Sequence, residues 1–292
     1  MGAVPASWLI VIASLLFASM GVCVKLAAAQ YGSGEIVMYR GLIGALMIAA
    51  MSRWQGISLR TAVPAKHALR SLTGVTALCL WFYAIGELPL ATAMTLNYTS
   101  SLWIALFLIG GGAVFKAQPV DPRLVLVALL GFAGVVLVLR PTIEQDQLWY
   151  GLVGLLSGMV SATGYLQVTA LSRAGESESC IVFYFSIGGV LGGAALTALT
   201  GWHAHSWAGI GLLLAVGVLA TLAQLMLTRA YTRGRTLVNA SLQYLGIAFS
   251  FLFDVFLLGD RVTWIAALGI LLIVAAGVRA TMLRAPPLRV RS

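Results

Sequence analysis

The sequence predicts an all-α polytopic membrane protein in which ten transmembrane helices form two five-helix inverted repeats. Of its 292 residues, 60% are hydrophobic and only 9% are charged, and the mean hydropathy is +0.97. Soluble domains contain about 25% charged residues, so this chain has too few to build a surface that faces water. Ten apolar stretches, each long enough to cross a bilayer core of about 30 Å, take up roughly 200 residues.

The apolar windows of the sequence give the positions of the spans. Because proline removes a backbone donor and breaks helices, the eight prolines are informative about helix ends. All of them fall at or outside the predicted ends, which favours uninterrupted helices. The predicted spans are 6–29, 34–52, 67–86, 91–115, 122–140, 149–172, 178–200, 206–230, 236–258 and 262–283.

The basic residues predict the orientation of the chain. With the N-terminus in the cytoplasm, 14 of the 18 Lys and Arg residues, Arg60 and Arg70 among them, fall in cytoplasmic segments, whereas Arg140 and Arg261 fall outside. Multi-pass proteins concentrate positive charge in their cytoplasmic loops. We therefore expect a multi-pass plasma-membrane protein, typical of a bacterial inner membrane, with both termini cytoplasmic. The net charge of +9 belongs mostly to these loops and predicts no nucleic-acid partner.

The two halves of the sequence resemble each other at a nearly constant offset. The collinear matches predict a first repeat at 1–141 and a second at 142–292, the latter with a short basic cytoplasmic tail. Because each repeat has an odd number of helices, the second copy enters the membrane from the opposite side, an arrangement that lets one site face either side alternately. The matching segments are 14–21 with 157–164, 37–44 with 181–188, and 96–98 with 242–244.

Two longer segments resemble the EamA repeats of the drug/metabolite transporter superfamily. They are 84–115 and 230–260, each followed by a glycine-bearing span. The Leu-Gly-Asp at 258–260 matches the acidic ending of that family's ninth helix, whereas the first half departs from it with Phe115-Lys116.

The resemblance implies a secondary transporter, and not an enzyme, that exports amino acids and related small metabolites by alternating access. Chain length and aromatic-rich spans are most similar to the YddG-like exporters of aromatic amino acids.

Polar side chains inside the spans mark candidate binding residues, because they are costly unless they face protein or water. In span 9, Asn239, Gln243 and Asp254 fall in a sector about 60° wide, and Gln224 belongs to a similar stripe in span 8. The alternative interpretation is hydrogen bonding between helices. The candidate substrate-binding residues are Arg40, Asn97, Tyr98, Gln224, Asn239, Gln243 and Tyr244.

Three charged residues within the spans are candidates for charge recognition or coupling. Lys25 and Arg40 lie roughly 6 and 9 Å from the outer ends of their spans. They either extend to the interface or attract a substrate carboxylate or phosphate. Asp254 either pairs with Arg40 or binds a proton or an ammonium group. The substrate expected from these charges is a small molecule with a carboxylate.

Aromatic residues are abundant in the spans, and three tyrosines are candidates for lining a cavity: Tyr83, Tyr165 and Tyr184. Tyr98 and Tyr244 hold matching positions in the two repeats, beside Asn97 and Gln243. Since the corresponding helices are expected to approach the axis between the repeats, these tyrosines are predicted near the site.

Two other functions compete with this interpretation. An exchanger of phosphorylated metabolites would use Lys25 and Arg40 to hold phosphate. An intramembrane enzyme would need a nucleophile and a base at depth, but His67 stands at the first position of a predicted span and the other two histidines lie between spans. Cys23, Cys79 and Cys180 lack CxxC spacing, so we expect neither a metal site nor a cofactor. The sequence contains no nucleotide-binding loop and implies no ATP-binding subunit.

Overall fold

A computed structural model describes residues 5–101, 122–139, 148–234 and 236–258, together with isolated positions between 103 and 107 and between 264 and 279. Within these parts of the chain the structure is helical and contains no strand. The helices are α1 (Ala6–Ala27), α2 (Ser33–Gln55), α3 (Pro64–Glu87), α4 (Leu90–Tyr98), α5 (Pro122–Leu139), α6 (Leu148–Arg173), α7 (Glu178–Thr200), α8 (Trp207–Arg233), α9 (Thr236–Leu242) and α10 (Leu245–Phe253), which continues into a π-helical turn at Asp254–Leu258.

Seven helical segments of the described chain are long and apolar enough to cross a membrane. They are α1, α2, α3, α6, α7, α8 and the segment Val238–Leu257, which combines α9 and α10. This agrees with the prediction of an all-helical, polytopic membrane protein. Most of the predicted span 262–283 and most of the later part of 91–115 lie outside the described residues.

The helix ends follow local sequence signals. Ser177 and Ser206 accept hydrogen bonds from the third backbone N–H of the helices that follow them, α7 and α8. Pro64 occupies the first turn of α3, where its missing N–H has no cost. The helix therefore starts three residues before the predicted span, and His67 and Arg70 belong to α3 rather than to a loop.

The expectation of uninterrupted helices was wrong for span 9. Helix α9 ends at Leu242 and α10 begins at Leu245, although no proline is present. The amides of Gly246 and Ile247 donate to the carbonyls of Gln243 and Tyr244 at 2.9 and 3.0 Å, a spacing of three residues. Such a tightened turn interrupts a helix by shortening the hydrogen-bond spacing from four residues to three, which requires no proline. The positions of the prolines therefore do not reveal it.

The helices of the two halves pack against each other in crossed pairs. Helix α1 packs on α8, α3 packs on α6, and α2 packs on α7. In the α2–α7 contact the backbones approach closely, because a Cβ atom at Gly41 would lie 2.6 Å from the carbonyl oxygen of Ser186, and one at Gly193 would lie 2.5 Å from the amide of Met38. Glycine at these positions lets the two backbones touch.

Polar contacts join the segments at each end of this bundle. We call the end at which α1 begins the near end and the opposite one the far end. At the near end, Glu178 of α7 accepts hydrogen bonds from Arg229 and Arg233 of α8 at 2.7 and 3.0 Å. At the far end, the buried carboxylate of Glu35 binds the backbone amide and the ring Nδ1 of His203, at 3.1 and 2.5 Å.

Candidate functional site

A small polar cavity lies inside the bundle, between α1, α2, α3, α4, α6, α7 and α8. Its volume is about 40 Å³, which is room for water rather than for a metabolite. Arg40 enters it from α2 and Arg70 from α3, and each arginine is only 4% exposed. The other lining residues are Phe17, Gly74, Ala77, Leu78, Trp81, Asn97, Ser161, Gly164, Tyr165, Phe185 and Gln224.

Both guanidinium groups contact the ring of Phe185. The Cζ atoms of Arg40 and Arg70 lie 5.2 and 4.1 Å from its centroid, within the range of cation–π interactions. Arg40 also donates to the amide oxygen of Gln224 at 3.5 Å. Among the described residues neither arginine pairs with a carboxylate, and the Nε atoms of both are buried without a hydrogen-bond partner. A buried charge without a counter-charge is unfavourable, so the cavity is suited to an anion.

Amide, hydroxyl and aromatic groups form another part of the wall. The side chain of Asn97 donates to the hydroxyls of Ser157 and Ser161 at 3.0 and 3.2 Å, which connects α4 to α6. The ring of Tyr165 stacks on that of Tyr231, with centroids 5.2 Å apart and planes 15° from parallel. The wall therefore offers a flat aromatic face beside the two cations.

The fold brings several of the predicted site residues together. Arg40, Asn97, Tyr165 and Gln224 all line the cavity. Gln243 lies one layer behind it and donates to the hydroxyl of Tyr231 at 2.6 Å, so it supports the stacked pair of tyrosines without lining the cavity.

Three other predicted binding residues are buried but do not line the cavity. Asn239 donates to the carbonyl of Ala230 at 2.6 Å and thereby ties α9 to the end of α8. Tyr98 lies against Gly246 of α10, and Tyr244 lies against Gly131 of α5. A buried tyrosine needs a small residue opposite its ring, and these glycines provide that space.

The two candidate coupling residues form hydrogen bonds with backbone groups at helix ends. Lys25 donates to the carbonyl oxygens of Gly86 and Leu88 at 3.0 and 2.8 Å, where α3 ends. Asp254 accepts from the backbone amide of Ala91 at 3.0 Å, where α4 begins. A cation at a helix C-terminus and a carboxylate at an N-terminus are both favourable. The predicted pairing of Asp254 with Arg40 is not formed.

The other two candidate cavity tyrosines lie elsewhere. Tyr83 is 40% exposed, and its ring lies 5.5 Å from that of Tyr150. Tyr184 lies at the near end, with its ring 4.6 Å from the imidazole of His67. Neither lines the polar cavity.

Sequence reasoning missed Arg70 and Phe185 as cavity residues. Arg70 was counted with the cytoplasmic segment because it lies only three residues inside span 3, which was predicted to begin at 67. The available signal was Pro64, which is favoured in the first turn of a helix and would have placed Arg70 almost two turns inside α3. Phe185 follows Tyr184 in a run of three aromatic residues, and sequence alone does not say which of them faces inward.

A second polar cluster at the near end was not expected from the sequence. His67, Glu176 and Cys180 are distant in sequence but meet there, with His67 Nε2 and Glu176 Oε2 3.1 Å apart. Burial opposes ionisation of Glu176, but hydrogen bonds from Cys180 and Thr61 and the close approach of the His67 imidazole outweigh it and lower the pKa of this carboxyl to about 2. The cluster therefore contains a carboxylate that is ionised at neutral pH.

Long apolar helices that surround a cationic polar cavity are typical of membrane transporters. Comparison with known proteins agrees with this class. Residues 4–140 match the model of the EamA-like transporter family. The chain is also 33% identical over 251 residues to the pseudopaline exporter CntI of Pseudomonas aeruginosa, an alignment that covers 83% of this chain and 84% of the exporter. The chain belongs to the EamA-like transporter family.

Other relatives are more distant. A riboflavin transporter of Rhizobium johnstonii is 27% identical over 175 residues, which cover 60% of this chain and 56% of that protein. A crystal structure of a protein with 19% identity has a TM-score of 0.79, covering 96% of this chain and 99% of the other. That likeness concerns the fold alone.

Family membership confirms two predictions from the sequence. The resemblance to the drug/metabolite transporters was correct, and the chain is a multi-pass membrane transporter of small molecules rather than an enzyme.

Proposed function

We propose that this protein exports amino acids, aromatic ones included, and related small metabolites that carry a carboxylate. The observation that carries the proposal is the pair of buried arginines, Arg40 and Arg70, at one cavity. Arginine binds carboxylates through two parallel N–H donors, and this geometry is strongest where water is excluded. A substrate carboxylate would supply the negative charge that the described surroundings of the cavity lack.

The aromatic wall favours substrates with a flat apolar group. Phe185 contacts both arginines, and Trp81 and Tyr165 line the same space. Aromatic rings stack favourably against such faces, by about 0.5–1.5 kcal/mol beyond the burial of area. This supports aromatic amino acids as substrates, as the likeness to YddG-like exporters implies.

Transport proceeds, in this proposal, by movement of two inverted repeats, residues 1–141 and 142–292, around the cavity. If α1 corresponds to α6 and α3 to α8, then the α1–α8 pair maps onto α6–α3, and the α2–α7 pair maps onto itself. The observed packing follows this rule. It supports a twofold axis that passes through the α2–α7 contact and lies in the membrane plane.

The size of the cavity implies that binding requires opening. An amino acid does not fit into about 40 Å³, so α2 and α3 must move apart from α6, α7 and α8 to admit one. The contact of Glu35 with His203 at the far end and that of Glu176 with Thr61 at the near end join the two moving parts in this conformation. Alternating access would release one set of contacts at a time.

The near end faces the cytoplasm in this proposal, and the membrane is the plasma membrane of a bacterium. Support comes from the basic side chains at the near end, such as Arg229 and Arg233, because cytoplasmic loops are enriched in Lys and Arg. The direction of flux is supported by the similarity to an exporter. Both chain termini would then be cytoplasmic.

Purified protein in liposomes tests this function. Labelled aromatic amino acids, other amino acids and cationic dyes are offered separately, and both influx and efflux are measured. We expect transport of amino acids with an aromatic preference, and loss of transport when the substrate carboxylate is amidated. Arg53→Ala, which removes an exposed arginine of the same helix as Arg40, serves as the matched control and should transport normally. Equal transport of an amino acid and its amide would contradict the proposal.

A second candidate function is the exchange of phosphorylated metabolites. The presence of two guanidinium groups at one cavity favours it, since a phosphate dianion can use both. The same liposomes, loaded with inorganic phosphate and offered labelled sugar phosphates, distinguish the two functions. Exchange that depends on internal phosphate would identify the second.

A further inference from the structure

Three potential metal ligands meet at the near end, outside the polar cavity. His67 lies in the first turn of α3, Glu176 in the loop between α6 and α7, and Cys180 in the first turn of α7. An imidazole nitrogen, a carboxylate oxygen and the thiol sulfur lie within 4.8 Å of one another. The three segments come from both halves of the chain.

The ring nitrogens of the histidine in this cluster are not satisfied by hydrogen bonds within the described part of the chain. His67 is only 2% exposed, yet neither of its ring nitrogens has a hydrogen-bond partner among the described residues. Its Nε2 lies 3.1 Å from Glu176 Oε2 without the direction that a hydrogen bond requires. Burying an imidazole without a hydrogen-bond partner is unfavourable. A metal ion bound by both His67 and Glu176 would satisfy it.

The spacing of the two atoms fits a tetrahedral metal ion. Zinc binds histidine nitrogen at about 2.0–2.1 Å and carboxylate oxygen at about 2.0–2.2 Å, so two such ligands lie about 3.3 Å apart around one ion. The observed separation of 3.1 Å is close to this value. A thiolate beside imidazole and carboxylate is a ligand set that suits Zn²⁺ better than Mg²⁺ or Ca²⁺.

We propose that His67, Glu176 and Cys180 bind a zinc-class divalent cation and leave a fourth coordination position open. The carboxylate is already oriented for this role. Its Oε1 accepts hydrogen bonds from the hydroxyl of Thr61 at 2.7 Å and from the amide of Ala62 at 3.3 Å, while Oε2 points to the histidine. Outer contacts of this kind commonly orient metal ligands.

The site has a path to solvent and a connection to the polar cavity. Glu176 also lines a cleft of about 660 Å³ at the near end, through which an ion can enter. The ring of Tyr184 contacts His67, and the next residue, Phe185, lines the cavity and contacts both arginines. A bound ion therefore fixes α3 to the start of α7 and holds the near end closed.

Cobalt titration of the tag-free, chelator-treated full chain in detergent tests the site. Co²⁺ should bind with one equivalent per chain, produce a thiolate-to-cobalt charge-transfer band, and be displaced by Zn²⁺. Cys180→Ser should abolish the band, whereas Cys23→Ser and Cys79→Ser, which remove the other two thiols, should keep it. Thr61→Ala, which removes only the outer contact of Glu176, should weaken binding by about 10-fold or more.

The outcomes separate the site from a general effect on folding. Absence of the band in the wild-type protein, or its persistence in Cys180→Ser, would overturn the proposal. Each variant is compared by size-exclusion elution, so a variant that fails to fold is recognised, and the wild-type titration decides without any variant. Organic substrates do not enter the assay, which makes the result independent of the proposed transport function.

Discussion

Arg40 and Arg70 place their guanidinium groups against the same ring, that of Phe185, although they belong to different helices. Their Cα atoms lie about 10 Å from opposite ends of the bundle, since Arg40 is seven residues from the start of α2 and Arg70 six from the start of α3. Two cations that converge on one ring from helices of opposite direction repel each other. An anion between them would remove the repulsion, whichever side it entered from.

The first prediction concerns these arginines. Arg40→Ala and Arg70→Ala should each weaken substrate binding by about 10- to 100-fold, because a hydrogen bond to a charged group contributes about 1.5–3 kcal/mol. Arg40→Lys and Arg70→Lys should retain only part of the binding, since lysine lacks the planar guanidinium group that holds a carboxylate by two hydrogen bonds. Uptake by liposomes, normalised to folded protein, measures the effect. Near-normal transport by Arg40→Ala would exclude a role in binding.

The second prediction concerns the α2–α7 contact. Gly41→Ala should lower the free energy of unfolding by about 1–3 kcal/mol, because the added methyl group would lie 2.6 Å from a backbone oxygen of α7. Gly211→Ala is the matched control, since no atom lies within 4 Å of the corresponding position in α8. That variant should be neutral or gain up to about 1 kcal/mol of helix propensity. Thermal unfolding in detergent compares the two, and equal effects would contradict the close approach.

The third prediction compares two carboxylates at opposite ends. Glu35→Gln should cost about 1.5–3 kcal/mol of stability, because Glu35 is buried and accepts charge-assisted bonds from His203. Glu178→Gln should cost about 1 kcal/mol or less, because its partners Arg229 and Arg233 are about half exposed and screened by water. Denaturation in detergent tests the order. A larger loss for Glu178→Gln would show that the near-end contact is the stronger.

The fourth prediction concerns orientation. In a background with the three cysteines replaced by serine, Arg60→Cys should resist an impermeant thiol reagent on intact cells, and Ala204→Cys should react. Both positions are exposed, so accessibility depends on the side of the membrane. Ala204 also leaves the contact between Glu35 and His203 intact. The excess of Lys and Arg in cytoplasmic segments also predicts that Arg289 lies in the cytoplasm and Gln145 outside the cell. Reaction at position 60 on intact cells would reverse the orientation.

The membrane class and most helices could be predicted, because a long apolar segment has few stable alternatives to a helix in lipid. Arg40 could be singled out for a related reason, since a charge inside a span requires a protein or water environment. Arg70 could not, because its assignment depended on a helix end, and windows of hydropathy locate ends only to within a few residues. Arg40 and Arg70 therefore differ in how far each lies from the predicted end of its helix.

Matching positions in the repeats were a poor guide to the cavity. Tyr98 and Tyr244 occupy equivalent places in sequence, but each packs against a glycine, Gly246 or Gly131, on a neighbouring helix. Periodicity indicates which side of a helix a residue occupies, whereas the neighbour on that side depends on tertiary packing. The cluster of His67 with Cys180 was hidden for the same reason, because its members are brought together only by the assembled bundle.

The glycine contact between α2 and α7 has a mechanical consequence. Where backbones touch directly, no side chains interlock, and one helix can slide or roll over the other without rotamer changes. The seam formed by Gly41 and Gly193 therefore serves as a pivot at the centre of the molecule, while Glu35 and Glu176 make the contacts that join the halves at its two ends. In the proposed transport cycle, movement would be resisted at the two ends and least hindered at the middle, so a small change at either end would turn the two halves as rigid bodies.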